Sequence, residues 1–282
     1  MLEKEPSRTA FAAAAHRAAH QVLEKGAIFA DPLAVRILGQ DAETVAQDAM
    51  ANPPRLGMRL FIAARSHFAE TALRQGIERR GVRQLVVLGA GLDTFAYRNP
   101  FGERLKVFEI DHPATQAWKR RRLGEAGIAI PGDLAFVSVD FERDRLMDRL
   151  VAAGLDSASR TFFMWLGVVP YLVEETVFST LTAIGSLPGG AEVTFDYADP
   201  PATLSQMQLA AHLERAARVA ALGEPWLSYF EPVVLHPRLR ELGFCAIEDL
   251  GPRDLAARYR RGEGAAIPER GGHVVWAATD QG

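Results

Sequence analysis

The chain has 282 residues, of which 48% are hydrophobic and 24% are charged, and its formal net charge is −3. This composition is typical of a globular protein with one large domain. The charge provides no basic field that would attract nucleic acid or an anionic membrane, so we expect neither as a partner.

Cysteine and segment content narrow the class further. Cys245 is the only cysteine, which excludes an intramolecular disulfide and a cysteine-cluster metal site, and its apolar neighbours predict a buried strand. No apolar run reaches membrane-spanning length, and the charged, alanine-rich beginning does not resemble a signal peptide. His16 and His20 lie one helical turn apart without a third ligand, so we interpret them as a solvated helix face. We therefore expect a cytoplasmic protein without a bound metal.

Residues 1–80 are predicted to contain helices and no strand. Asp31 followed by Pro32 is typical of a helix start, because Asp caps the first turn and Pro is tolerated there. A long amphipathic helix is predicted from Arg55 to about Arg80. Its apolar positions at helical spacing are Leu60, Phe61, Ala64, Phe68 and Leu73.

From residue 82 onward, apolar strands alternate with helices. Alternation of this kind predicts an α/β fold with a parallel sheet and helices on both faces. Continuously apolar strands such as 85–88 favour burial of the sheet on both sides. The predicted strands are 84–89, 105–110, 134–139, 161–166 and 191–197, and the predicted helices lie near 112–126, 142–153 and 173–186.

The alternation ends after Tyr197, where Asp199-Pro200-Pro201 interrupts the chain. One helix is predicted at about 202–222. A C-terminal unit follows, with a helix near 236–242 and strands at 244–250 and 272–279 that fit an antiparallel pair. We expect one domain over residues 1–282 with four parts: a helical N-terminal lid (1–80), a ligand-binding core (82–198), a helical insertion (199–231) and the C-terminal end of the sheet (232–282).

The most informative segment is the turn after the first strand, Gly89-Ala90-Gly91-Leu92-Asp93-Thr94. Glycine lets the backbone approach a ligand without a side chain in between. The next strand ends in Asp111 about twenty residues later, where a carboxylate can accept hydrogen bonds from ribose hydroxyls. Thr94 occupies the third-glycine position of a dinucleotide fingerprint, so the pattern favours a nucleoside ligand without pyrophosphate, such as S-adenosylmethionine.

Asp140 ends the third predicted strand and is expected at the same edge of the sheet. Its carboxylate can accept a hydrogen bond from an adenine amino group, and Phe141 can cover the face of the ring. Asp140 is also suited to cap the helix that follows, and the two roles are compatible.

Longer strings carry a resemblance to a known family. The chain resembles the class I S-adenosylmethionine-dependent methyltransferases, and among them the leucine carboxyl methyltransferase family with its bacterial O-methyltransferase and polyketide methyltransferase members. The resemblance implies S-adenosylmethionine as cofactor. It also implies a Rossmann-like seven-stranded sheet, mostly parallel, with an antiparallel C-terminal strand. The matching strings lie within residues 60 to about 200 and are Ala64–Glu70, Leu88–Arg98, Phe108–Pro113, Val139–Phe141 and Trp165–Leu172.

The resemblance also implies a role for each matching residue. Arg65 would hold the methionine carboxylate of the cofactor, which its planar fork suits. Gly89 and Gly91 would approach the amino-acid part, and Asp93 would shape the turn or meet the ammonium group. The acids that end the second and third strands would bind ribose and adenine. Without the resemblance, Arg65 alone would be interpreted as a surface charge on its helix.

One departure from the family concerns the methyl acceptor. Members that methylate protein carboxyl groups carry an acid before the glycine that follows the fourth strand, where this chain has Leu166. This favours a small-molecule acceptor with a carboxylate or hydroxyl group. No motif identifies a catalytic residue. The acceptor-side candidates are Tyr171, Tyr197, Asp199, His212 and Tyr229.

Two alternatives from other classes remain open. A nicotinamide-dependent oxidoreductase uses the same type of sheet, although Thr94 argues against it. An S-adenosylmethionine-binding protein without catalytic activity also fits, since methyl transfer from a sulfonium requires mainly alignment and exclusion of water. A carboxylate acceptor needs no general base, whereas a hydroxyl needs a base or a group that stabilises its anion. The sequence leaves the oligomeric state open.

Overall fold

A computed structural model describes residues 7–51, 56–139, 144–259 and 267–280. At its centre lies a seven-stranded sheet in the order β3-β2-β1-β4-β5-β7-β6. The strands are β1 (Gln84–Leu88), β2 (Lys106–Asp111), β3 (Ala135–Ser138), β4 (Thr161–Trp165), β5 (Ala191–Ala198), β6 (Phe244–Leu250) and β7 (Gly272–Thr279). Every predicted strand end lies within one residue of the observed end.

The helices of the described part run along the chain as predicted, with one addition near the C-terminus. They are α1 (Arg8–Leu23), α2 (Ala34–Leu38), α3 (Ala42–Met50), α4 (Leu56–Arg79), α5 (Pro113–Glu125), α6 (Leu146–Ala152), α7 (Glu174–Gly185), α8 (Gln206–Ala221), α9 (Pro232–Glu241) and α10 (Pro252–Tyr259). Among the described residues, no helix combines the length and apolar character needed to cross a membrane.

The pairing of the strands confirms the predicted fold class. β1 pairs in parallel with β2 and β4, β2 with β3, and β4 with β5. β7 lies between β5 and β6 and runs antiparallel to both. The sheet is therefore Rossmann-like, mostly parallel, with an antiparallel strand at its C-terminal end.

Both faces of the sheet are buried, as the apolar strands predict. Val86 and Leu88 of β1 belong to a core cluster that also includes residues of α7 and α9. Leu85 and Val87 point to the other face, where they pack with Leu73 of α4. Alternate side chains of one strand thus enter two cores. Because β1 to β5 are parallel, their C-terminal ends lie at one edge of the sheet, where the turn after β1 also lies.

Two expectations about individual side chains are wrong, and the C-terminal part contains one helix that was not predicted. Cys245 is exposed, because β6 is an edge strand and most of its side chains are only partly covered. The segment between β6 and β7 contains α10, whose first turn is stabilised by Asp254 accepting from the N–H of Gly251 at 3.3 Å. His20 is buried, and its Nε2 accepts from the backbone N–H of Ile28 at 3.2 Å.

Candidate functional site

The turn after β1 requires glycine at two positions. Gly89 and Gly91 have φ angles of 64° and 46°, in the left-handed region that favours glycine. A Cβ on Gly89 would collide with the side chain of Val168, and one on Gly91 would lie 3.0 Å from the Cβ of Ala10. The turn is therefore contacted by the segment after β4 on one side and by α1 on the other.

Asp111, at the end of β2, is bound to this turn. Its Oδ2 accepts from the N–H of Gly91 at 2.6 Å, and its Oδ1 accepts from the N–H of His112 at 2.7 Å. Burial raises the pKa of Asp111, and the two backbone N–H groups act in the opposite direction. A carboxylate has about four acceptor positions, so acceptor capacity remains for the hydroxyl groups of a ligand.

Asp93 makes the contacts of a residue that shapes the turn. Its Oδ1 accepts from the N–H of Phe95 at 2.8 Å, which closes an Asx turn. Arg17 of α1 donates from Nη2 to the carbonyl oxygen of Leu92 at 2.5 Å, and its Nη1 lies 3.9 Å from Asp93 Oδ2. The N-terminal helix is thus attached to the glycine turn by an arginine.

Arg65 is buried in α4, so its interpretation as a surface charge is wrong. Its Nη1 donates to Asp196 Oδ2 at 2.6 Å, and the two side chains are 10% and 6% exposed. Asp196 lies on β5, and its Oδ1 accepts from the N–H of Gly167 at 2.5 Å. Arg65 Nε has no hydrogen-bond partner among the described residues.

Asp196 was missed in the sequence, although a signal for it exists. Alternate residues of β5, namely Val193, Phe195 and Tyr197, are apolar or aromatic, and Asp196 lies on the opposite face of the strand. That face is covered as well, because Asp196 is 4% exposed. A carboxylate on a strand that is covered on both faces requires a partner.

Trp226 connects three of the five predicted acceptor-side residues. Its ring centroid lies 5.3 Å from that of His212, and its side chain lies close enough to Tyr171 to act on the pKa of the phenol. His212 Nε2 lies 3.2 Å from the hydroxyl oxygen of Tyr229. We refer to Tyr171, His212, Trp226 and Tyr229 as the aromatic cluster. Sequence reasoning did not select Trp226, since no motif marks it.

Burial changes the protonation of the aromatic cluster. It lowers the pKa of His212, with the charge of Arg215 acting in the same direction, so the imidazole is neutral at neutral pH. Burial also raises the pKa values of Tyr171 and Tyr229, which keeps both phenols protonated. The cluster therefore contains a neutral base, His212, beside the protonated phenol of Tyr229.

Tyr197 lies apart from this cluster. Its hydroxyl group donates to Asp249, and its ring stacks on His273 with centroids 4.8 Å apart. Asp199 Oδ2 accepts from the N–H of Gly271 at 2.8 Å and lies 3.2 Å from His273 Nε2. Both residues thus belong to a cluster of buried polar side chains that lies where β5 and β6 end and β7 begins.

Glu224 joins the two helical segments of the chain. It follows α8, and its carboxylate accepts from the backbone N–H groups of Arg8 at 3.1 Å and Thr9 at 3.2 Å. These N–H groups belong to the first turn of α1, where a negative charge is favourable. The side chain of Thr9 also lies close enough to Tyr171 to act on the pKa of the phenol. The beginning of α1 therefore lies beside the aromatic cluster.

The structure does not describe two of the predicted site residues, and it contains no metal-binding arrangement in the ranges that it describes. Asp140 and Phe141 lie outside the described residues. Over the described ranges, no group of three or more His, Cys, Asp or Glu side chains is arranged to hold a metal ion.

Comparison with known proteins agrees with this geometry. A family model described as leucine carboxyl methyltransferase matches residues 10–185. The Bacillus subtilis protein YktD, named provisionally as an S-adenosyl-L-methionine-dependent methyltransferase, is 38% identical over 196 residues, which are 68% of this chain and 63% of YktD. A Mycolicibacterium paratuberculosis protein with the same provisional name is 35% identical over 199 residues, 64% of this chain and 63% of its own length. Each match thus spans just under two thirds of the relative.

A solved structure shows the same fold. A Thermobifida fusca protein, described provisionally as a methyltransferase, superimposes with a TM-score of 0.54 and is 15% identical. The superposition covers 99% of this chain and 96% of that protein. At this level of identity, the likeness concerns the fold alone.

Proposed function

Because the chain belongs to the leucine carboxyl methyltransferase family, we propose that it transfers the methyl group of S-adenosylmethionine to a carboxylate or hydroxyl oxygen of a small molecule. The observation that carries the proposal is the glycine turn, which is hydrogen-bonded to Asp111 and packs against Val168. The residue before Val168, Gly167, packs against the guanidinium of Arg65. The residues proposed to bind the ribose and the carboxylate, Asp111 and Arg65, thus lie on the two sides of one turn.

The cofactor is assigned to these residues by chemistry. Asp111 accepts from the ribose hydroxyls, Gly89 and Gly91 let the backbone approach the amino-acid part, and Arg65 binds the carboxylate. Asp93 holds the shape of the turn. Asp140 and Phe141, which lie outside the described residues, remain proposed for the adenine.

The acceptor is assigned to the aromatic cluster. Its Tyr171 lies close enough to Arg65 for the guanidinium charge to act on the phenol, so the cluster begins beside the cofactor site. The other members lie on α8 and the segment that follows it. We propose that α1 and the insertion form a lid, joined at Glu224, which excludes water from the reaction. Tyr197 is assigned to the core.

The chemistry is an in-line displacement at the methyl carbon. The acceptor oxygen forms a bond to the methyl group while the bond from sulfur to that carbon breaks, and S-adenosylhomocysteine leaves with the electron pair. A carboxylate acceptor reacts as its anion and has no proton to lose. For a hydroxyl acceptor, neutral His212 is the group in the cluster able to take the proton. Alignment of the two reactants contributes most of the rate increase.

Ligand binding tests the cofactor assignment. Calorimetric titration is expected to show binding of S-adenosylmethionine and S-adenosylhomocysteine and no binding of NAD. The reverse result would support the oxidoreductase alternative and reject the proposal. Transfer of a labelled methyl group to a panel of small carboxylic acids, phenols and alcohols then separates an enzyme from a silent binding protein.

Kinetics with an active acceptor test the aromatic cluster. His212→Asn and Tyr229→Phe are expected to change kcat or KM for the acceptor and to leave the affinity for S-adenosylhomocysteine unchanged. Leu213→Ala is the matched control, because Leu213 lies beside His212 on α8 and is 56% exposed. If both cluster variants behave like the control, the acceptor binds elsewhere.

A further inference from the structure

Asp196 connects three elements through one carboxylate. Oδ2 accepts from Arg65 on α4, and Oδ1 accepts from the N–H of Gly167 in the segment after β4. Asp196 itself lies on β5, and its side chain is 6% exposed. With one oxygen on each partner, the carboxylate fixes the position of the guanidinium relative to the segment after β4.

The remaining edge of the guanidinium carries N–H donors that form no hydrogen bond to the described residues. Arginine has five N–H donors in a planar fork, and Asp196 occupies the Nη1 side. Nε is buried without a partner in the described part of the chain, an arrangement that costs free energy unless a ligand supplies an acceptor. A Cβ on Gly167 would lie 2.7 Å from Nη2, so the glycine leaves that nitrogen its space.

We propose that Asp196 is a positioning residue that holds Arg65 so that its Nε–Nη2 edge faces the carboxylate of the cofactor. The proposal rests on the proposed function, because it requires Arg65 to bind that carboxylate. A bidentate hydrogen bond depends on orientation as well as charge. Asp196 therefore acts on the cofactor through Arg65 and does not itself contact it.

The test compares two ligands that differ only in the carboxylate. Dissociation constants are measured by calorimetry for S-adenosylhomocysteine and for its decarboxylated analogue, which retains the adenosine, the sulfur and the amino group. Asp196→Asn retains an acceptor for the N–H of Gly167 and places an amide against Arg65. Asp196→Glu retains the charge but shifts the carboxylate by one methylene, so it separates geometry from charge and provides a second variant.

Both variants are expected to weaken binding of S-adenosylhomocysteine by about tenfold and to leave binding of the decarboxylated analogue unchanged. Thr194→Val is the matched control, because Thr194 lies on the same face of β5, is buried, and has a hydroxyl group without a partner among the described residues. This control should change neither constant. A purely structural role for Asp196 would weaken both ligands equally.

The other outcomes separate the role of Asp196 from the role of Arg65. Unchanged or tighter binding of S-adenosylhomocysteine in both variants, or equal weakening of the two ligands, overturns the role of Asp196. If the wild-type protein binds the two ligands equally, the assignment of Arg65 fails, and the role of Asp196 fails with it. If the wild-type protein prefers S-adenosylhomocysteine and Arg65→Lys removes that preference, the role of Arg65 stands whatever the Asp196 variants show.

Discussion

Three acidic residues of the sheet are buried and paired with basic side chains. Glu109 lies 2.8 Å from Lys119 Nζ, Glu192 lies 2.8 Å from an Arg80 nitrogen, and Asp196 binds Arg65. Each basic partner lies on a helix or just after one, and the partners of Glu192 and Asp196 are more than a hundred residues away in the sequence. A buried charge is tolerated only with such a partner. The sequence shows that each acid needs a partner, and the packing of helix on sheet decides which residue it is.

Asp111 combines two tasks in one carboxylate, because it holds the glycine turn and is assigned to the ribose. Asp111→Ala removes both, and we expect it to weaken S-adenosylhomocysteine binding by roughly 1.5–3 kcal/mol, the usual contribution of hydrogen bonds to a charged group. Calorimetry gives the dissociation constant, and thermal unfolding checks the fold.

Asp111→Asn provides the control for the structural task. The amide oxygen can still accept from the N–H of Gly91, while the charge towards the ribose is lost. We expect an affinity between those of the wild type and Asp111→Ala. An unchanged dissociation constant for a folded Asp111→Ala protein would contradict the ribose assignment.

At the scale of elements, α1 shows how a helix beginning can be held by a distant residue. Ser7 caps the helix, since its Oγ accepts from the N–H of Ala10 at 3.0 Å. Glu224 accepts from two further N–H groups of the first turn. The first N–H groups of a helix have no partner within the helix. The insertion therefore supplies partners that the N-terminal segment lacks.

We predict that Glu224→Ala loosens the first turn of α1 without unfolding the sheet. Loss of a helix cap costs about 0.5–2 kcal/mol, so amide hydrogen exchange should become faster in residues 8–11. Hydrogen exchange followed by mass spectrometry measures this directly.

Glu214→Ala is the matched control for this prediction. Glu214 also belongs to the insertion, but its ion pair with Arg218 lies at the surface, where such pairs contribute little. Exchange in residues 8–11 should remain as in the wild type. Equal protection in both variants would show that Glu224 does not hold α1.

At the scale of the whole molecule, the antiparallel end of the sheet contains a histidine between two acids. His273 Nδ1 lies 3.1 Å from Asp249 Oδ1, and its Nε2 lies 3.2 Å from Asp199 Oδ2. Burial opposes the charged imidazole, but the hydrogen bonds and charges of the two acids outweigh burial and raise the pKa of His273. Burial likewise acts against ionised Asp249, but its hydrogen bonds from His273 and Tyr197 lower the pKa of Asp249.

These shifts determine how stability depends on pH. Since the pKa of His273 is raised in the folded state, its contribution is complete below about pH 6.5 and is lost as the pH rises through the folded-state pKa. Asp249 contributes above about pH 4 and loses this contribution as the pH falls through its lowered pKa. The group of side chains therefore stabilises the fold most in the mildly acidic range.

We predict that the free energy of unfolding lost in His273→Gln is largest near pH 6 and decreases towards pH 9, by about 1.4 kcal/mol for each unit by which the pKa is raised. Urea denaturation across this range measures it. His67→Gln is the control of opposite sign, because burial lowers the pKa of His67. A loss in His273→Gln that does not depend on pH would show that the fold does not raise the pKa of His273.

The sequence by itself determined the elements and predicted residues for the cofactor side of the site. The apolar runs predicted the parallel strands, because a strand covered on both faces is apolar throughout. The two C-terminal strands were predicted as an antiparallel pair. The glycine turn and Asp111 were visible because their roles depend on backbone conformation and position within one βαβ unit. Local chemistry of this kind is encoded in consecutive residues.

Only the tertiary structure decided which distant side chains meet. It paired Arg65 with Asp196, placed Glu224 at the beginning of α1, and gathered Tyr171, His212 and Tyr229 around Trp226 while leaving Tyr197 in the core. It also exposed Cys245 and buried His20. The reason is physical. Burial and pairing depend on how whole helices pack against the sheet, and the spacing of residues along the chain does not determine that packing.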